Sequence, residues 1–174
     1  MKRQFLAATA AATLMLASFS PALAETVLNV GMAAADVGQL DPHRATTTQD
    51  KPVVSWIFNG LVRFKPGSAN LEELEPDLAT SWEKTADGLT WTFHLRKGVK
   101  FHGDWGEMTA DDVVFSLKRA ADTKQSSFAS DYAPVASIEA VDPYTVKLVL
   151  KQPIPALLGI VANYHGGNIV SKKA

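Results

Sequence analysis

The sequence predicts an α/β chain, and three observations predict it. Residues 91–95 alternate Trp91, Phe93 and Leu95 with Thr92 and His94, the period of two that buries one face of a strand. Behind Thr109, the residues Val113, Val114, Leu117 and Ala121 recur at helical spacing. Strand-like and helix-like stretches of this kind succeed one another down the chain, with no repeat at a fixed period and no low-complexity tract.

In chain order, residues 1–24 read as a secretory signal peptide. Lys2 and Arg3 give a basic start, residues 5–19 an apolar run too short to cross a bilayer comfortably, and Ala22 and Ala24 a small-residue cleavage pattern ending after Ala24. No cysteine occurs in the 174 residues. A lipid anchor on a lipobox cysteine, a disulfide framework and thiolate chemistry are thereby excluded. An exported chain of this composition fits the periplasm. Cleavage would leave residues 25–174, long enough to bury about 70% of the unfolded-chain surface. Without Lys2 and Arg3 the balance is 15 basic against 18 acidic residues, and the basic ones are dispersed. That distribution argues against a nucleic-acid partner.

Residues 26–32 read as a strand with Val27, Asn29 and Gly31 on one face. The polar, proline-containing "LDPHRATTTQDKP" reads as a loop or crossover. Val53, Trp56, Ile57, Gly60, Leu61 and Phe64 fall at helical spacing, which predicts a helix ending near Gly60. Residues 65–74 form a turn region. Asp87-Gly88 between two strand-like runs predicts a hairpin, and residues 96–101 continue as a short extended piece.

The helix after Met108 has a legible start. Thr109 is its N-cap, and Asp112 three residues on makes a capping-box variant. Asp111 and Asp112 in the first turn, with Lys118 and Arg119 near the end, match the helix dipole. Two strands follow, "ASIEAV" and "YTVKLVL", joined at Asp142-Pro143. "PALLGIVAN" predicts a short buried helix with Pro155 at its first position, and "GGNIVSKKA" reads as the start of another strand.

Residues 91–119 are dense in titratable side chains, yet helix capping and ordinary solvated charge account for most of them. His94 is out of phase with the buried face of its strand. His43, His94, His102 and His165 have no metal-ligand spacing, so no metal and no cofactor is implied. An acid/base pair of Asp104 and Glu107 in a glycine-bounded loop would support an exported hydrolase. That is the least favoured reading, and the chain reads as a non-enzyme.

"LEPDLATSWEKTADGLTWTFHLRKGVKFH" followed by "MTADDVVFSLKR", together with "LDPH", "IFNGLV", "VDPYTVKLVL" and "IVSKKA", carries a resemblance. The chain resembles the periplasmic solute-binding proteins of peptide and nickel ABC transporters, the dipeptide/oligopeptide-binding family. One local departure is "HGDWGEMTADDV", where the family usually shows His-Asp-Gly and a proline-containing turn. The permissive Gly103 and Gly106 remain.

The resemblance implies the N-terminal part of a two-lobed, class II periplasmic-binding-protein fold, a mixed sheet with flanking helices, with the second lobe missing. Residues 25–44 would supply the first strand and crossover of lobe I, 45–168 a small extra subdomain beside it, and 169–174 the start of a return to lobe I. Residues 27–31 and 169–171 would then expose unpaired strand edges. The family holds its solute in the cleft between lobes, adding a peptide to strand-like backbone. Its closed form docks on an inner-membrane ABC permease. By the same resemblance the protein is a monomer that takes a small peptide or similar solute. The ligand-facing residues would be Thr46, Thr47 and Thr48, with His43 as a further contact or a backbone-bonded loop residue. Two functional readings stand beside the hydrolase: a solute-binding component present as an incomplete chain, and a truncated remnant without independent binding.

Overall fold

A computed structural model of the chain describes residues 27–32, 36–162 and 164–174. The expected signal peptide lies outside them. The chain divides into two units, Met1–Met32 and Ala33–Ala174. In the first, residues 27–32 form no strand, and Val27 and Leu28 are exposed. The alternation in the sequence suits a strand, but a strand exists only where a ladder partner supplies the facing N–H and C=O groups. No described residue pairs with this segment.

The second unit is built on a four-stranded antiparallel sheet. In chain order its elements are α1 (Asp50–Ile57), β1 (Val62–Phe64), β2 (Leu74–Pro76), β3 (Ala79–Lys84), β4 (Thr90–Leu95), α2 (Ala110–Ala120), β5 (Val135–Asp142), β6 (Thr145–Leu150) and α3 (Leu157–Ile160). The large sheet has the order β3-β4-β6-β5, and β1 pairs with β2 in a separate two-stranded ladder. All four strand pairings are antiparallel, and among the described residues the parallel component is the bridge Val62–Ala162.

The central strands alternate as the sequence predicts. Trp91, Phe93 and Leu95 of β4 and Val146, Leu148 and Leu150 of β6 all point into the core. They meet directly across the ladder as Trp91–Leu148 and Phe93–Val146 pairs. Helix α2 packs on β5 and β6, adding Val113, Leu117 and Ala120 to the same core. Its capping box forms, with the Thr109 amide donating to Asp112 Oδ2 at 2.9 Å. The β3–β4 hairpin turns at Gly88, whose φ of +69° is the left-handed conformation a glycine allows. There Asp87 Oδ1 accepts from the Leu89 amide at 3.0 Å.

Three elements differ from expectation. The helix predicted from Val53 to near Gly60 begins three residues earlier, at Asp50, and ends three residues earlier, at Ile57. Thr47 Oγ1 accepts the Asp50 amide at 3.1 Å, and Pro52 fits the first turn, where its missing N–H costs nothing. The backbone turns extended at Phe58, and Leu61 and Val62 pass fully buried into sheet pairing. Val54 is the helix's buried apolar residue, whereas Trp56 is 62% exposed. The helical spacing therefore came from a helix and a strand placed end to end.

Helix α3 is a single turn, and Pro155 precedes it by two residues instead of opening it. No strand forms from residue 166 onward. That segment is nevertheless not an open edge: Asn168 bridges Gly60, and the Ile169 amide donates to Asn59 O at 2.8 Å. The Val170 amide donates to Ser116 Oγ at 2.9 Å, and the Lys172 amide to Asp112 Oδ1 at 2.9 Å. Side chains of α2 thus do the work of a neighbouring strand.

Ser116 is fully buried, and its hydroxyl also donates to the Asp112 carbonyl at 2.7 Å. Replacing it with alanine orphans the Val170 amide, so S116A is expected to cost about 1–2 kcal/mol. Amide hydrogen exchange at Val170 and Lys172 should speed up in the same variant, and unchanged exchange there would refute this fastening.

Candidate functional site

Residues 41–51 form the segment to which the sequence points. A turn closes on Asp41, whose carbonyl accepts the Arg44 and Ala45 amides at 3.0 and 2.9 Å. Its carboxylate caps the turn from within, Oδ1 accepting the His43 amide at 3.0 Å. Arg119, near the end of α2, forks onto the same carboxylate, NH1 to Oδ1 at 2.9 Å and NH2 to Oδ2 at 2.5 Å. The guanidinium holds the Asp41 carboxyl below its ordinary range, and the carboxylate in turn raises Arg119. Arg119, read as a dipole complement, thus makes a specific pair 78 residues back along the chain.

His43 is fully buried behind this pair. Its Nδ1 accepts from Arg119 NH1 at 2.6 Å, which leaves Nε2 as the protonated nitrogen, donating to Asn168 O at 3.1 Å. Burial pushes its pKa down, consistent with a neutral ring. Both ring nitrogens are thus engaged and the ring is enclosed, so His43 supports the loop.

Thr46, Thr47 and Thr48 are all exposed on the outer side of the loop. Thr47 is committed to α1 through its hydroxyl, and its carbonyl accepts the Lys51 amide at 3.2 Å. Thr46 and Thr48 are different. Among the described residues their amides and carbonyls have no backbone partner. For Thr48 the cause is in the sequence: the residue four further on is Pro52, which has no N–H to donate. The main chain of these two exposed residues is left without a backbone partner, directly after a turn braced by Asp41, His43 and Arg119.

Two further segments adjoin the loop, the first at His43 and Arg44. The Ser127 amide donates to His43 O at 2.9 Å, and the Arg44 guanidinium donates to the Lys124 and Gln125 carbonyls at 2.9 and 3.3 Å. This seats Phe128 beside the loop. The His165 ring lies edge-on to both Phe128 and Tyr164, with centroids 6.1 and 5.3 Å apart. Gly166 permits the approach, because a Cβ there would lie 2.9 Å from the Phe128 ring. Over these aromatics runs Lys51, its Nζ 4.2 Å from the Tyr164 centroid and 5.6 Å from that of Phe128. No local signal in the sequence joins Lys51, Phe128 and Tyr164.

Of the acid/base candidates, Asp104 is exposed and Glu107 is tied into its own loop. Glu107 Oε1 accepts from the Gly98 amide and from Tyr144 OH, both at 2.8 Å, which staples the 98–107 loop and lowers the Glu107 pKa. His94 is exposed beside Glu83 at 3.7 Å. Among the described residues no three His, Asp or Glu side chains converge as a metal site. An apolar groove of about 520 Å³, walled by Ile57, Phe101, Trp105 and Phe115, touches Asp41 and Arg119 but none of the three threonines.

The second unit is thus a sheet-and-helix scaffold with a loop at residues 41–51 braced from within. The solved structures it resembles are periplasmic binding proteins. MoaA of A. tumefaciens R10, solved with mannopinic acid, is 54% identical with a TM-score of 0.79, over 81% of this chain and 29% of that one. DppA of Helicobacter pylori, solved with the peptide STSA, is 34% identical with a TM-score of 0.68, over 77% and 29%. The chain belongs to the bacterial extracellular solute-binding proteins, family 5, whose model matches residues 73–173.

Among curated relatives, Di/tripeptide-binding protein 4 of Pseudomonas aeruginosa is 42% identical over 56% of this chain and 21% of its own length. Glutathione-binding protein GsiB of Escherichia coli K12 is 35% identical over 92% of this chain and 30% of its own. The chain therefore spans less than a third of the relatives it matches. Its fold is α/β and corresponds to part of the periplasmic-binding-protein fold. Among the described residues no helix is long and apolar enough to cross a membrane.

Proposed function

We propose that the chain contributes one wall of the solute cleft of a periplasmic solute-binding protein, the component that delivers small peptides to an inner-membrane ABC permease. The observation that carries this is the exposed, unpaired main chain of Thr46 and Thr48 on an internally braced loop. An extended peptide could add to it as to a strand edge, gaining affinity from its backbone and leaving side-chain identity loosely specified. In this reading Thr46 and Thr48 meet the solute, Thr47 fixes the helix behind them, and His43 supports the loop. Residues 25–44 lead into lobe I, 45–168 form the subdomain beside it, and 169–174 turn back towards it. The protein acts as an exported monomer, and a second lobe of the kind the longer relatives have room for closes the cleft.

A second reading has its own support. MoaA, at 54% identity, was solved with mannopinic acid, so the solute can be a small organic acid that is not a peptide. One experiment covers both. The ¹⁵N-labelled chain is titrated with the tetrapeptide STSA, glutathione and mannopinic acid, following amide shifts and thermal midpoint. At least one probe is expected to give saturable shifts at Thr46 and Thr48. The reading fails if none perturbs those amides at millimolar concentration.

A further inference from the structure

We propose that Lys51 recognises an anionic group, so that the solute taken by this wall carries a carboxylate or comparable anion lying over the Lys51–Tyr164 shelf. This rests on the reading of Thr46 and Thr48 as cleft wall and deepens it by naming the chemical class of solute.

Three features of the site support it. Lys51 lies in the first turn of α1, three residues past Thr48, and its amide donates to Thr47 O at 3.2 Å, so its backbone adjoins the threonine segment. Its Nζ rests 4.2 Å from the Tyr164 centroid and 5.6 Å from that of Phe128, while no carboxylate among the described residues lies within 4.0 Å of it. A ring face occupies only one side of an ammonium and leaves the remaining N–H donors available. Holding the long side chain on two rings also removes rotamer freedom before the solute arrives, so less entropy is lost on binding.

The neighbouring groups leave that charge uncompensated. Asp131 faces His165 Nδ1 at 3.5 Å. Asp50 is buried, with Oδ1 accepting the Gly38 amide at 2.9 Å. Tyr164 is 46% exposed and its hydroxyl has no partner among the described residues, so it is free to donate to an anion on the shelf. A carboxylate above Lys51 would thus meet one cation and one hydroxyl donor, with the adjoining main chain of Thr46 and Thr48 aligned along the rest of the solute.

The test compares two probes that differ only in charge, N-acetylglycine and N-acetylglycinamide, by amide shifts of the labelled chain at low salt. The acid is expected to bind about tenfold more tightly than the amide, which corresponds to about 1.4 kcal/mol. It should perturb Thr46, Thr48 and Lys51 together, and the preference should fall in 0.5 M salt as screening demands. K51Q should abolish the preference. K84Q should keep it, because Lys84 also lies over a ring, 5.4 Å from that of Trp91, but sits at the end of β3 and not on α1. If acid and amide bind alike, or K51Q retains the preference, Lys51 only covers Phe128 and the assignment falls while the cleft wall stands. If neither probe, nor any of the larger solutes above, perturbs Thr46 and Thr48, both readings fall together.

Discussion

Replacing Phe93 with alanine is expected to lower the stability of the fold by about 3–5 kcal/mol, a large part of the roughly 5–15 kcal/mol that a domain has to lose. Phe93 is fully buried on β4, an interior strand of the four-stranded sheet. It faces Trp82 on one side and Val146 on the other, and its ring stacks at 6.4 Å from that of Trp91. Truncation opens a void whose walls belong to strands hydrogen-bonded on both sides, so the backbone cannot collapse to refill it. Urea unfolding should show the midpoint shifted with little change in slope. T92A, one residue away on the other face and only half-buried, should change stability by less than about 0.5 kcal/mol. A loss below about 1 kcal/mol for F93A would mean that the sheet face is not the main source of stability.

The parts of the fold legible in the sequence were those fixed by local rules. The β4 alternation, the Asp87-Gly88 turn and the Thr109–Asp112 capping box each depend on residues within a few positions of one another, and all three appear as read. What misled the reading was a pattern spanning two elements. Val53 to Phe64 keeps a helical period across a helix, an extended link and a strand, and only the long-range pairing of Leu61 with Ala79 decides that the helix stops at Ile57.

The candidate site divides in the same way. Thr46 and Thr48 could be picked out as loop residues after "LDPH", and the missing donor at Pro52 is visible in the sequence itself. The support beneath them was not. Arg119 had a sufficient local explanation as a charge near a helix C-terminus, and nothing in its neighbourhood announces Asp41. His43 likewise reads as a plausible contact until the fold encloses it beside Asn168, 125 residues away.

Removing that support is the second large effect. R119M is expected to cost about 2–4 kcal/mol, somewhat below the full range for breaking a buried ion pair because the Arg119 and Asp41 side chains keep 21% and 24% of their exposure. The loss arises less from the missing attraction than from what is left behind. The Asp41 carboxylate loses two donors, and His43 Nδ1 loses its only donor among the described residues.

Acid should weaken the same link in two stages. The folded-state pKa of His43 is depressed, so it resists protonation that the unfolded chain accepts. Stability is therefore complete above the ordinary histidine value of about 6.5 and falls as pH drops below it. Asp41 is also depressed, and its contribution is complete above its ordinary value of 3.8 and lost as pH falls through the lower folded value. Each stage can change stability by at most about 1.4 kcal/mol per pH unit. Urea unfolding between pH 7.5 and 3 should show both declines, with H43L losing the first and R119M much of the second. The consequence for the 41–51 loop is directly measurable, because Ala45 and Ser127 donate their amides to Asp41 O and His43 O. Their hydrogen exchange should accelerate in R119M at pH 7. If it does not, the Thr47 cap on α1 suffices to hold Thr46 and Thr48 in place, and the ion pair serves the core alone.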